Sequence, residues 1–461
     1  MTPRFPPNVL SVHGIGGVLG KRVKRAASGG RGMSRRRFLR LGGAGLVAAS
    51  LLGGTGCGGG NEGGGGDSLV FAFNSTGAEG LRELIRRFNE DHRGDIRVEW
   101  REMPATSSQC FEQMQVELQS GESNVDVIAG DVTWAAQFAA NGYILDLSER
   151  FTDRMKESHL DGPLQTVEYE GKTWGVPWFT DAGMFFYRRD LLERAGFSEP
   201  PATWAEMKEM ARKVKADLGA RDGYVFQGSQ DEGDVVDALE HVWNAEGDVL
   251  DGDRVSIDSP QAAGGLELRR SMLTDGVSPR VSGDHTTQEA QAAFTNGDVV
   301  FMRNWPFTYA LLSDPEQSRV RPEQVGISTI PVSREGNESF NGLGGWNFLV
   351  NAGSEDKMDR IWPFIEYMSA PEQQKLWAIS GSYLPTLKDL YDDSEVLEKV
   401  PVARLGRKAI DNARPRPISP YYSDMSLEMA RQFNAALNGE VPVPQALEEL
   451  EGELQNIANQ G

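Results

Sequence analysis

The chain has 461 residues, 39% of them hydrophobic, two cysteines and a formal net charge of −20, which together describe a globular protein too long for one ordinary core and exclude a disulfide scaffold. The charge is uneven: residues 1–57 hold ten of the 47 basic residues and none of the 67 acids, leaving 37 basic against 67 acidic side chains in the rest. So acidic a body repels nucleic acid and anionic lipid, and no nucleic-acid partner is expected.

In chain order, the first feature is an address. Ser34-Arg35-Arg36-Arg37-Phe38-Leu39-Arg40 reads as a twin-arginine export signal, followed by an apolar run, Leu41 to Leu52, too short to span a bilayer. The run ends in Thr55-Gly56-Cys57, which resembles the lipobox of bacterial lipoproteins, with Gly54 where that motif usually has Leu. The likeness implies a lipid on Cys57 and a protein tethered to the outer face of the cell membrane. Residues 1–32 read as an upstream extension, with Met33 as an alternative start, and residues 58–68 as a Gly-rich tether. Cys110 is then a lone thiol, expected as a small buried group in a helix.

The body opens with alternating elements. Leu69–Phe73, Asp95–Trp100 and Val125–Ala129 read as strands. Ala78–His92, Gln109–Ser120 and Thr133–Ala140 read as helices, the first with Leu81, Leu84, Ile85 and Phe88 on one face. That run predicts a parallel sheet with helices on both faces. Next, Leu164–Tyr169 and Lys172–Val176 suggest a hairpin around Glu170-Gly171, and Gly183–Tyr187 a strand. Thr203–Val214 carries a capping box, Thr203 with Glu206. Residues 186–305 read as more helical, Val325–Ile330 and Phe348–Val350 as later strands, and the chain ends in helices. Two α/β lobes follow: 69–181 plus about 306–346, and 182–305 plus about 347–461, with crossings near 182, 306 and 347.

Ligands of open α/β sheets sit beyond the carboxyl ends of strands. Those segments here carry Asn74, Ser75, Thr76, Glu79, Thr106, Ser107, Ser108, Asp131 and Trp134, with no Gly-rich phosphate cradle. An Asp directly before a helix pattern also suits a cap, which is the plain reading of Asp131. Later loop-like segments join aromatics to polar groups: Trp178-Phe179-Thr180-Asp181, Arg303-Asn304-Trp305, Gly344-Gly345-Trp346 and Arg414-Pro415-Arg416. A pyranose has hydroxyl edges, which carboxylates and guanidinium groups grip, and an apolar C–H face, which rings cover. Each tryptophan could equally be a core residue.

The chain resembles the family 1 extracellular solute-binding proteins, in particular the trehalose/maltose branch of ABC sugar importers. The likeness is carried by Phe88-Asn89-Glu90, by Val125–Trp134, by Trp178-Phe179-Thr180-Asp181-Ala182-Gly183, by Tyr187–Leu192, and by Gly345-Trp346 and Arg416-Pro417-Ile418-Ser419-Pro420. It implies a two-lobed periplasmic-binding-protein-like fold of type II. Each lobe would be a doubly wound sheet with flanking helices, and a neutral di- or oligosaccharide would sit between them before passing to a membrane permease pair. It implies sugar-binding roles for Glu79, Asp131, Phe179, Asp181, Trp305, Trp346 and Arg416, with Arg414 competing for the last. Asn74, Ser107 and Gly345 join them from the segments above. No enzyme activity and no cofactor are expected, and a monomer is. The rival classes are a secreted glycoside hydrolase, which needs two carboxylates flanking a glycosidic bond, a metal-dependent enzyme, for which the five isolated histidines offer no ligand spacing, and a binder of another solute such as a polyamine.

Overall fold

The computed structural model describes residues 68–460 apart from 76, 122 and 253; the export signal, Cys57 and most of the tether lie outside them. The alternating opening is present: β1 (Leu69–Asn74), α1 (Ala78–Asp91), β2 (Val98–Met103), α2 (Ser107–Ser120), β3 (Val127–Asp131) and α3 (Ala135–Ala140). β1 pairs in parallel with β2 and with β3. The register of Leu69 on Val98 through Asn74 on Met103 carries β2 past Trp100, where the alternation of the sequence stops. α1 buries the face its spacing predicts, Leu81, Leu84, Ile85 and Phe88. Cys110 is buried on α2 and donates its thiol to the Pro104 carbonyl at 2.9 Å. Burial pushes that thiol up to about 12, so it stays protonated and inert.

The chain continues through β4 (Val176–Ala182), β5 (Met184–Arg188), α4 (Trp204–Leu218), β6 (Asp222–Val225), α5 (Glu232–Trp243), α6 (Pro260–Thr274), α7 (Thr287–Thr295) and β7 (Val299–Asn304). It closes with β8 (Val325–Ser328), β9 (Asn341–Val350), α8 (Met358–Ser369), α9 (Pro371–Gly381), β10 (Leu384–Pro385), α10 (Tyr422–Asn438) and α11 (Val443–Ala458). α4 begins on the predicted capping box of Thr203 and Glu206. One sheet runs β10-β4-β9-β3-β1-β2, with Ala413–Arg414 beside the start of β9; the other runs β8-β5-β7-β6. Each carries parallel pairs (β1 with β2 and β3; β6 with β7) beside antiparallel ones. The first core gathers Phe71, Phe73, Trp178 and Phe348 beneath its sheet, while the second sheet packs Phe185, Trp204, Tyr224 and Phe301. The chain ends with α10 and α11, which pack against α5 and α6.

Three expectations differ from the structure. The hairpin of 164–176 shrinks to Glu168–Tyr169 against Lys172–Thr173, because Asp161–Gln165 is helical and Val176 already belongs to β4; the turn at Glu170-Gly171 is kept, both residues having positive φ. The glycine segment 342–346 is part of the ten-residue strand β9, and Trp178–Ala182 lies in β4. Sheet membership also departs from the 306–346 and 347–461 division. β8 pairs with β5 in the second sheet, so the passage back to the first falls between β8 and β9, not near 306 or 347. β9, α8, α9 and β10 then serve the first sheet and its core. Strand partners lie far apart in sequence, so a local pattern does not reveal them. The change of sheet near 182 does fall between β4 and β5, at Gly183.

Candidate ligand cleft

Strand ends from both sheets meet at a cavity of about 820 Å³, counting the part open to solvent. The first sheet brings Asn74 at the end of β1, Asp131 at the end of β3, Phe179 and Asp181 from β4, and Gly345 and Trp346 from β9. Ser107 comes from the first turn of α2. Opposite them stand Trp305, just past β7, with Asp231 and Glu232 where α5 begins and Thr287 and Gln288 where α7 begins.

Asp131 ends its strand and caps the turn that follows: its Oδ1 accepts from Thr133 N–H at 3.2 Å and Thr133 Oγ1 at 3.1 Å, while its Oδ2 accepts from Ser107 Oγ at 3.1 Å. Asp131 is thus a turn residue that also lines the cavity, while the cap position of α3 falls to Trp134, which makes no side-chain cap bond. Arg416 donates through Nη2 to Asp131 Oδ1 at 3.2 Å and to the Leu343 carbonyl at 3.3 Å, and through Nη1 to Glu232. Glu232 also accepts from Tyr422 Oη at 2.6 Å and from Ser426 Oγ. Only 2% of the Arg416 side chain is exposed, so two carboxylates balance its buried charge.

Asp181 is different. It is 6% exposed and its Oδ1 has no partner among the described residues. Burial, helped by the neighbouring Asp131 and opposed by Arg303, pushes its carboxyl well above the usual range. An oxygen buried without a partner is costly, and a ligand donor at that spot would remove the cost.

Flat rings surround these groups. The Trp305 indole carries the Arg303 guanidinium 4.3 Å from its centroid on one side and leans on Gly344, where an added Cβ would come within 2.9 Å of the ring. Trp346, 9% exposed, stands edge-on to Phe73 at 5.2 Å and to Trp134 at 5.5 Å. Phe179 lies 4.9 Å from Tyr383, itself stacked on Trp377 at 4.4 Å. Gly345 has φ +125 and sits beside the register shift between Trp346 and Asn347; a Cβ there would lie 2.4 Å from the Phe179 carbonyl oxygen. That close approach explains why a glycine run is a strand here and not a loop.

Asn74, Ser107, Asp131, Phe179, Asp181, Trp305, Gly345, Trp346 and Arg416 thus line one cavity. Glu79 and Arg414 do not. Glu79 is exposed on the first turn of α1, because the helix starts at Ala78 and turns it outward. Arg414 ends its short strand and reaches Asp248 at 3.2 Å, its guanidinium 3.8 Å over the Phe340 ring. Trp134 and Trp178 are core residues, 4% and 0% exposed. The sequence reading missed Asp231, Glu232, Phe307 and Tyr383. Asp231 accepts from Gly233 N–H at 2.8 Å as the cap of α5. Applying the rule of strand ends to β6 as it was applied to β1 and β3 would have found that pair. Tyr383 follows α9 with no local signal.

A family model for bacterial extracellular solute-binding proteins matches residues 83–403. The chain belongs to this family. The family is one of solute binders, not enzymes, and its members work outside the cytoplasm. This solute-binding protein is 30% identical over 371 residues to a probable ABC transporter-binding protein of Deinococcus radiodurans, covering 78% of this chain and 86% of that one. Its structure matches maltose-bound MalE3 of T. maritima with a TM-score of 0.79 at 31% identity, covering 84% of this chain and 99% of the other. That match shows the two-lobed α/β fold of periplasmic binding proteins. A mannitol-binding protein of Pseudomonas aeruginosa is 21% identical over 83% of this chain and 91% of its own.

Proposed function

We propose that this solute-binding protein holds an uncharged di- or oligosaccharide, of trehalose or maltose type, in the cleft and hands it to the permease subunits of an ABC importer. The observation that carries the reading is Asp181: a buried carboxyl with an oxygen that no described residue partners, on a residue lining a cavity walled by Phe179, Trp305 and Trp346. A sugar hydroxyl suits that oxygen and a sugar C–H face suits those rings. The charge pattern disfavours an anionic ligand, because Asp131, Asp181, Asp231 and Glu232 all line the cavity. Among the described residues Arg416 is the one cation lining the cavity, and its Nη1 and Nη2 are already engaged by Glu232 and Asp131. The maltose-bound and mannitol-binding relatives favour a hydroxyl-rich solute. Asp181, Asn74 and Ser107 take hydroxyls in this reading, the rings cover the apolar faces, and Asp131, held by Arg416, positions Ser107. Both Asp131 oxygens are occupied by protein donors, which suits positioning better than the acid–base work of a hydrolase.

Calorimetric titration with maltose, trehalose, mannitol and spermidine tests this. Saturable heat with a disaccharide is expected, without release of reducing sugar. Heat with spermidine alone would overturn it. Export by the twin-arginine route and a lipid on Cys57 complete the proposal; Cys57→Ala is expected to release the protein from the membrane fraction.

A further inference from the structure

A second cavity, about 900 Å³ with its open part, lies where β4 begins, among Phe151, Met155, His159, Val176, Ser369 and Leu387. It shares no residue with the cleft, to which β4 contributes Phe179 and Asp181 further along the strand. Its walls come from the segment before Leu160, from the junction of α8 and α9, and from the stretch after β10. Main-chain bonds hold the first and last of these together. Leu160 N–H donates to the Thr386 carbonyl at 2.8 Å and Lys388 N–H to the Ser158 carbonyl at 2.9 Å, either side of a bridge between His159 and Leu387.

His159 is 3% exposed, its ring edge-on to Phe151 at 5.2 Å. Its Nδ1 lies 2.9 Å from the Met155 carbonyl, which can only accept, so Nδ1 carries the proton. Burial lowers the pKa of the imidazole, which is therefore neutral near pH 7 and keeps Nε2 as an acceptor. That Nε2 has no partner among the described residues, and neither has Oγ of Ser369, a residue 8% exposed. Two buried polar atoms without partners in one pocket are costly, and a bound molecule that meets them removes the cost. A hydroxyl group suits both, as a donor to the imidazole nitrogen and an acceptor for the serine.

The rest of the lining narrows the ligand. Phe151, Val176, Leu387 and Leu390 are apolar, and the thioether of Met155 favours an aromatic neighbour. Glu366 and Asp389, both exposed, disfavour an anion, and no lysine or arginine among the described residues lines the cavity to offset them. The volume falls in the range of about 300–1,000 Å³ typical of small-ligand sites. We propose that this cavity is a second ligand site, separate from the cleft, for a small uncharged aromatic alcohol whose hydroxyl is engaged by His159 and Ser369. The inference does not depend on what the cleft binds.

The test is titration of the protein with phenol and with toluene, which has a similar shape but no hydroxyl, followed by ligand-observed NMR. Phenol should bind saturably, and toluene about tenfold more weakly. Ser369→Ala and His159→Leu should each weaken phenol about three- to tenfold and leave toluene unchanged, as for the loss of one hydrogen bond. Ser369→Ala removes a single oxygen, and so keeps the test valid should His159→Leu fold poorly. Trp305→Ala, a change in the cleft, should leave phenol affinity as it was. Absence of saturable phenol binding overturns the site. So does equal affinity for phenol and toluene, or a Ser369→Ala variant that binds phenol as tightly as the unaltered protein. Loss of phenol binding in a folded Trp305→Ala variant would put phenol in the cleft and overturn it as well.

Discussion

At the scale of single residues, Asp181 separates a ligand-binding carboxyl from a structural one. A structural carboxyl at 6% exposure would have protein donors on both oxygens, and Oδ1 here has none. Asp181→Asn keeps the shape but loses the carboxyl. Maltose affinity should fall about 2- to 10-fold, as for a neutral hydrogen bond worth about 0.5–1.5 kcal/mol. Stability at neutral pH should hold or rise, because the variant removes a carboxyl that burial penalises. Unchanged maltose affinity, with a lowered melting temperature, would show that Asp181 serves the fold. Glu79→Ala and Arg414→Ala should leave affinity unchanged, since both side chains lie outside the cavity. These cases also show what the sequence could reveal about the site. That Asp131, Phe179, Trp305 and Trp346 line one cavity was legible because each stands at a strand end or beside a polar–aromatic cluster. Glu79 was misplaced because one residue of helix phase decides whether a side chain faces in or out.

At the scale of elements, β9 and α5 carry the constraints. The bulge in β9 depends on Gly345, where φ is +125 and any side chain would press on the Phe179 carbonyl and Thr180 Cα. Gly345→Ala should cost at least about 1–3 kcal/mol, read as a lowered melting temperature, and should disturb Phe179 and Trp346 together. The glycines that enable this strand are what made it read as a loop. By contrast, the start of α4 was legible, because its capping box is a local signal, while its end runs a turn past Val214 to Leu218. On α5, Asp234 and Asp237 flank Arg269 of α6 at 2.6 and 2.7 Å, all three buried. Burial outweighs the attraction of Arg269 and raises Asp234 to about 8 and Asp237 to about 6. An unfolded aspartate titrates near about 3.9. Between that pH and 8 the folded pair therefore binds more protons than the unfolded chain, so stability falls as pH rises. Thermal melts should show a lower melting temperature at pH 9 than at pH 6. Asp234→Asn should flatten that difference, and a flat profile in the unaltered protein would sink the argument.

At the scale of the molecule, the alternating opening made the α/β class legible, whereas the partners of β8 and β9 were not, because pairing between segments far apart in the chain leaves no local trace. The segment between Ala413–Arg414, beside β9 of the first sheet, and α10 holds Arg416, and its placement predicts how the molecule moves. Its guanidinium touches Asp131, on a strand of the first sheet, and Glu232, at the start of the helix that follows β6 of the second. A cleft that closes on its ligand brings those two carboxylates toward each other, and only a cation between them makes the approach favourable. Arg416→Met keeps much of the volume and removes the charge, leaving two partly buried carboxylates to repel. In the unaltered protein, scattering with saturating maltose should show a smaller radius of gyration than without it, because a ligand held by both walls favours the closed state. In Arg416→Met that compaction should be lost or halved, and maltose affinity should fall with it. Raising the salt concentration should restore little of either, since the pair is shielded from solvent. If Arg416→Met compacts as fully as the unaltered protein, the guanidinium merely fills space, and closure must be driven by the rings and the ligand alone.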